Sequence, residues 1–123
     1  MVNGVTFTIT ENGRVPALSE NIQAEEGQEF ILFDVEINNT SGEDYRFSQN
    51  DYSVVLSSGE IKDNYLLIDV NNNYDDLGSG ELAAGGTKKG WVAFKIPKDD
   101  QLLEFRYSKK SLSKSEEFRL RLN

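Results

Sequence analysis

Apolar and polar side chains alternate with a period of two over most of this chain, the spacing that gives a strand one dry face and one wet face. Val5, Phe7 and Ile9 alternate with Thr6, Thr8 and Thr10, which predicts a first, half-buried strand. Residues 11–28 are polar and punctuated by Gly13, Pro16 and Gly27, with only Val15, Leu18 and Ile22 as anchors, so a loop with at most a short edge strand is expected there. Ser19 could cap a turn of helix over 19–26, but Ile22 is the only large apolar residue in it. The strongest strand is Gln28–Asn39. Ile31, Phe33, Val35 and Ile37 share one face, and Phe30 and Leu32 make the other face apolar at its start, which predicts a central position in a sheet.

Turn composition at 38–43 separates this strand from a third, begun by Tyr45 and Phe47. A fourth spans 51–56, and past the turn at 57–60 a hairpin continues through Ile61 toward Tyr65, Leu66, Leu67 and Ile68. Residues 69–80 are rich in Asn, Asp and Gly and predict a long surface loop. After Leu82 and a turn at 84–87, Val92, Phe94 and Ile96 form another inward face, and Leu103, Phe105 and Tyr107 repeat it beyond Pro97. A polar loop at 109–115 leads to a last strand in which Phe118, Leu120 and Leu122 alternate with Glu117, Arg119 and Arg121. Eight or so short strands without a run of period 3.6 predict an all-β sandwich or barrel.

A chain of 123 residues suits one domain, 1–123, large enough to close a core without staples. Cysteine and histidine are absent, which removes disulfides, thiolate chemistry, the usual neutral-pH base and the commonest transition-metal ligand. A net charge of −8 argues against nucleic acid as a partner, since phosphate affinity rests on clustered cations. The charge is uneven: residues 1–103 carry 18 acids and 7 bases, whereas 104–123 carry 3 acids and 6 bases, a difference read as internal matching between neighbouring strands. No apolar run is long enough to span a membrane. Met1 leads into a strand without a basic and apolar leader, which leaves a cytosolic protein or a mature domain whose precursor signal lies upstream.

Three stretches carry a family resemblance: Gln28–Asn39; then Asp51-Tyr52-Ser53-Val54-Val55-Leu56 with Gly59; then 81–97, where the turn Ala84-Gly85-Gly86-Thr87 feeds Gly90-Trp91-Val92-Ala93-Phe94 and ends at Pro97. Together they resemble a domain family of unknown function found in secreted proteins and lipoproteins of Gram-positive bacteria, and the likeness covers about residues 4–107. The resemblance implies an immunoglobulin-like antiparallel β-sandwich, akin to the mycobacterial immunoprotective extracellular antigen, and an extracellular or cell-surface location. Ala84 departs from the proline usual in relatives. The family brings no agreed activity, so no functional residue is carried over.

Several residue sets invite chemistry, and each has a plainer reading. Asp69, Asn71, Asn73 and Asp75 space oxygen ligands like the start of a calcium loop, but Tyr74 and Gly80 stand where such a loop needs Gly and Glu, so a solvated loop is expected and no metal is assigned. Trp91 lies opposite the Val92 face, beside Lys89 and Lys95, and could stack on a sugar; cover by neighbouring stems or a loop is the plainer reading. Ser111 and Lys114 match a nucleophile spacing without its companion motifs. The run 85–90 has phosphate-loop composition without its order. The acid pairs Glu25-Glu26, Asp75-Asp76 and Asp99-Asp100 sit among polar neighbours, where nothing would desolvate one member. Asn38 and Asn39 head glycosylation sequons that matter only in a glycosylating host. The expectation is a noncatalytic binding or spacer module with no cofactor, its partner an unidentified protein or cell-envelope component. The alternative is a calcium-stabilised or carbohydrate-binding sandwich using 69–76 and Trp91.

Overall fold

The computed structural model describes residues 4–19, 22–64, 77–110 and 115–121. Its strands are β1 (Val5–Val15), β2 (Ala17–Ser19), β3 (Ile22–Gln23), β4 (Gln28–Asn39), β5 (Tyr45–Ser48), β6 (Tyr52–Val55), β7 (Ile61–Asp63), β8 (Ser79–Leu82), β9 (Thr87–Pro97), β10 (Glu104–Lys110) and β11 (Ser115–Arg121). A three-stranded sheet, β1-β4-β9, faces a four-stranded one, β11-β10-β6-β7; β2-β3 and β5-β8 form two small ribbons, and every pairing is antiparallel. This is an all-β antiparallel sandwich of the immunoglobulin-like kind, with β4 central in its sheet as its two apolar faces require.

The core is built by the alternating residues. Ile31, Phe33, Val35 and Ile37 of β4 and Val92, Phe94 and Ile96 of β9 meet Tyr52 and Val54 of β6 and Phe105 and Tyr107 of β10. Phe33 lies in a triangle of rings, with centroids 4.7 Å from Phe105 and 5.9 Å from Phe94, which are themselves 6.0 Å apart. The buried Tyr45 and Tyr107 hydroxyls hydrogen-bond at 2.6 Å, which ties the β5-β8 ribbon to the four-stranded sheet.

Polar residues 11–15, expected as loop, continue β1. Strand pairing slips by one residue between Glu11 and Gly13, a bulge at Asn12. Val5, Phe7 and Ile9 face inward before the slip, and after it Val15 stands opposite Phe30 on the outer side, where it packs against Phe30, Leu32 and Ala93. Ala24 joins that outer cluster. The helical turn considered for 19–26 is replaced by the β2-β3 ribbon, Ala17 opposite Gln23 and Ser19 opposite Ile22; with one large apolar side chain, a helix there would have had no face to bury.

Four further expectations change. Asp51 ends a single 3-10 turn, Gln49–Asp51, capped by the Ser48 hydroxyl, so the fourth strand starts at Tyr52. Residues 79–80, expected as loop, belong to β8, and Gly80 lies against the Phe47 ring where a Cβ would approach to 3.1 Å. Leu103 is 41% exposed and Leu102 3%. The segment before β10 is not strand, so alternation does not reach back to residue 103; its N–H bonds to the Val55 carbonyl while Leu102 turns inward. Leu120 is 39% exposed because β11 is the edge strand of the wider sheet and extends past its three-stranded neighbour. Residues 65–68 and Leu122 lie outside the described residues.

Asn39 is fully buried and acts as a staple between two turns. Its Nδ2 donates to the carbonyls of Glu43 (2.8 Å), Leu82 (2.9 Å) and Ala83 (3.2 Å), and its Oδ1 accepts from the Ser41 hydroxyl at 2.6 Å. Its backbone pairs with Gly85 and Gly86. Removing the amide strands buried carbonyls, each costing about 1–3 kcal/mol when nothing replaces the donor. Asn39→Ala is therefore expected to lose about 2–3 kcal/mol in urea unfolding; a midpoint equal to that of the parent would dissolve the staple argument.

Candidate binding surfaces

The structure separates the residues the sequence singled out. Asp69, Asn71, Asn73, Asp75, Asp76, Ser111 and Lys114 lie outside the described residues. Residues 85–90 form the β8-β9 turn and the start of β9: Gly85 takes φ +85°, and Gly86 is tight against the Ala83 carbonyl, 3.0 Å from where a Cβ would sit. A strand follows these glycines, and no helix N-terminus is presented to a phosphate. Trp91 is half-buried and, like Val15 and Ala24, packs against Phe30, Leu32 and Ala93, so it belongs to the outer apolar cluster. The Asn39 sequon is unavailable in the folded chain because its Nδ2 is enclosed. Among the described residues no three acids, histidines or cysteines converge on a metal position.

The acids at the Gly27 end of the sandwich are engaged in structure. Arg14, turned by the bulge, donates from Nη1 to Glu29 at 2.9 Å and from Nη2 to the Asp100 carbonyl at 2.6 Å. The Asp99 N–H donates to the same Glu29 oxygen at 2.9 Å. Asp99 holds φ +63°, and the Asp100 carboxylate accepts from the Ser57 N–H and hydroxyl, both at 3.0 Å. Burial pushes the Glu29 pKa upward, but the Asp99 N–H and the Arg14 guanidinium outweigh it and hold the group below its ordinary 4.5. Lys95 does the same for Glu25 at a 3.0 Å contact, and Asn38 with Lys89 for Glu36. An open cleft of about 450 Å³ lies beside them, with Pro16, Ala24 and Gly27 in its wall and Glu25, Glu29 and Lys98 at its rim.

The second recessed place was not singled out by sequence. The outer face of the four-stranded sheet carries two rows read across its strands: Arg119, Arg106, Ser53, Asp63, and beside it Arg121, Glu104, Val55, Ile61. A groove of about 320 Å³ runs over it, lined by Val55, Leu103, Glu104, Arg106 and Arg121. Glu104 accepts from Arg106 Nε at 2.7 Å. Arg106 and Arg119 stand directly opposite each other, a like-charge arrangement that destabilises a sheet. Arg119 and Arg121 are exposed and make no ion pair with a described side chain. Of the bases in 104–123, Arg106, Arg119 and Arg121 share this face; Arg121 stands opposite Glu104 and Lys109 opposite Glu116, so neighbouring strands match in part as expected, and the exception is Arg119 facing Arg106.

The sequence profile of a domain family of unknown function, DUF4352, matches residues 1–117. No curated protein matches the chain. Among solved structures, the fold is similar to ycdA of Bacillus subtilis, described as a candidate lipoprotein, with TM-score 0.75 and 15% identity over 98% of this chain; the chain spans 37% of that protein. The yjhA protein of Bacillus subtilis is similar over 100% of this chain and 94% of its own, with TM-score 0.71 and 11% identity. A functionally unknown protein of Listeria monocytogenes is similar over 98% of this chain and 83% of its own, with TM-score 0.60 and 14% identity. At these identities the likeness is one of fold.

Two outcomes follow from the charges. Because the folded pKa of Glu29 is depressed, its stabilisation is present above 4.5 and disappears as pH falls through the folded value. Glu29→Gln is expected to be less stable than the parent at pH 7, with the gap closing below pH 4.5 in denaturant titrations; a gap independent of pH would exclude the ionised contact. Arg119→Glu, opposite Arg106, is expected to leave stability unchanged or raise it by up to about 0.5 kcal/mol. A clear loss in the same assay would mean that Arg119 supports the fold.

Proposed function

Since the chain belongs to the DUF4352 family of domains of unknown function, we propose that it acts as one noncatalytic module, binding or spacing, carried on the outer surface of a Gram-positive cell. The observation that carries the noncatalytic half is that three carboxylates are engaged in structural contacts: Glu29 with Arg14 and the Asp99 N–H, Glu25 with Lys95, and Glu36 with Asn38 and Lys89. Among the described residues, Glu25, Glu29 and Glu36 are all displaced downward, each held charged by a cation, an amide or both. A carboxylic acid that donates protons near neutral pH needs the opposite displacement. The same groups serve as struts between strands and turns.

The surface location is supported by the fold likeness to a candidate lipoprotein of Bacillus subtilis of which this chain spans 37%. A sandwich held by a continuous aromatic core is a stiff carrier for exposed faces and loops, the arrangement that binding modules use. The partner on this reading is a protein or a component of the cell envelope, and the chain's −8 charge disfavours nucleic acid. We extend the kinship, as one of architecture only, to the mycobacterial immunoprotective extracellular antigen.

An antibody against the domain, used on a native host expressing the full-length parent, tests the location. The domain is expected in the envelope fraction and to be digested when protease is added to intact cells. Recovery from the cytosol, untouched by external protease, would refute the surface assignment.

A further inference from the structure

The outer face of the β11-β10-β6-β7 sheet departs from the charge pattern of the rest of the molecule. Elsewhere most described cations are ion-paired: Arg14 with Glu29, Arg46 with Glu81, Lys62 with Glu60, Lys89 with Glu36 and Lys95 with Glu25, while Lys88 lies over the Phe47 ring and Lys98 acts on Glu29 from a distance. The chain has 21 acids for 13 bases, so partners are in surplus. On this face Arg106 nonetheless opposes Arg119; Glu104 accepts from Arg106 and stands opposite Arg121, and Arg119 makes no ion pair with a described side chain. The arrangement costs folding stability, and an anion arriving from outside would relieve it.

The same face also carries an apolar end. Leu103 is 41% exposed and Ile61 53%, and Val55 lies in the groove wall between them and Glu104. Arg121, Glu104, Val55 and Ile61 occupy adjacent strands in one row, so cation and aliphatic ends are separated by about 14 Å, three strand spacings. That distance is about four residues of extended peptide. A ligand matching the row carries carboxylates at one end and aliphatic side chains about four residues along. A uniformly charged chain matches it poorly, because beyond the arginines it would pass Glu104 and Asp63.

We infer that this groove, with Arg119 and Ile61 flanking it on the same sheet face, is a docking site for an acidic-aliphatic peptide segment of a partner protein, its carboxylates taken by Arg106, Arg119 and Arg121 and its aliphatic side chains laid on Leu103, Val55 and Ile61. The inference rests on the binding-module reading above and names its surface and the chemistry of its partner. Guanidinium pairs take carboxylates bidentately, while the aliphatic shoulder sets the direction of the segment.

The test is a titration of the isotope-labelled whole chain with a capped octapeptide carrying two glutamates near its N-terminus and leucine and valine four places on. Amide signals of Val55, Leu103, Glu104, Arg106 and Arg121 are expected to move, and binding should weaken with added salt. Replacing the peptide's glutamates by glutamines, or combining Arg119→Glu with Arg121→Glu in the protein, should weaken binding about tenfold or more. Leu103→Ser should weaken it while leaving the salt dependence in place. Unperturbed signals on this face, equal binding of the glutamine peptide, or tighter binding of inorganic polyphosphate at the same residues would each overturn the inference, the last in favour of a polyanion. The titration does not depend on where the domain resides, so its failure is distinguishable from failure of the surface location. The parent titration and the glutamine peptide keep the result decisive if a variant fails to fold.

Discussion

The contact of Phe33 with Phe105 across the two sheets, with Phe94 against both rings, is the one on which the rest of the architecture depends. It fixes the distance between the two sheets and, with Tyr52 and Tyr107 packed alongside, fills the centre with rings in tilted and edge-on arrangements that aromatic groups favour. Once β4 and β10 are registered through these rings, the parity of every residue on both strands is decided. Phe30 and Leu32 must face away from the core, and so must Glu104 and Arg106. Both the outer apolar cluster and the basic groove are therefore consequences of the central packing.

Much of the sandwich could be read in the sequence because a buried face imposes period two, and β4, β9, β10 and the first half of β1 display it without interruption. The errors fall where another constraint overrode that period. At Asn12 the bulge changed parity within a polar stretch, so nothing in 11–15 announced a strand. At residues 101–103 the chain was turning, and the inward position went to Leu102. Leu120 obeyed the alternation but had too little opposite sheet to cover it, a fact of sheet width that no local pattern contains.

The candidate surface shows the same division. The excess of bases after residue 103 was visible by counting, but its meaning was not. Only the pairing of β10 with β11 reveals that Arg106 meets Arg119 instead of an acid, and only the pairing of β6 with β10 and β7 puts Val55 and Ile61 in line with Glu104. Conversely, the motifs most conspicuous in one dimension were absorbed by structure: the glycines at 85–86 by a tight turn, Trp91 by the outer cluster, and Asp99-Asp100 by the turn beside Arg14.

The extra residue in β1 also governs which length changes this domain can accept. Residues 11–14 have the composition of a tolerant surface loop, yet only one of them is spare: without Asn12 the ladder runs unbroken from Glu11 opposite Phe33 to Val15 opposite Phe30, and Val15 keeps its outer side. Taking out a second residue would bring Val15 opposite Ile31 and swing it toward the core, away from Phe30. Homologous chains should therefore carry this stretch with the extra residue or without it, and an alignment that closes it by two has misassigned one half of the strand.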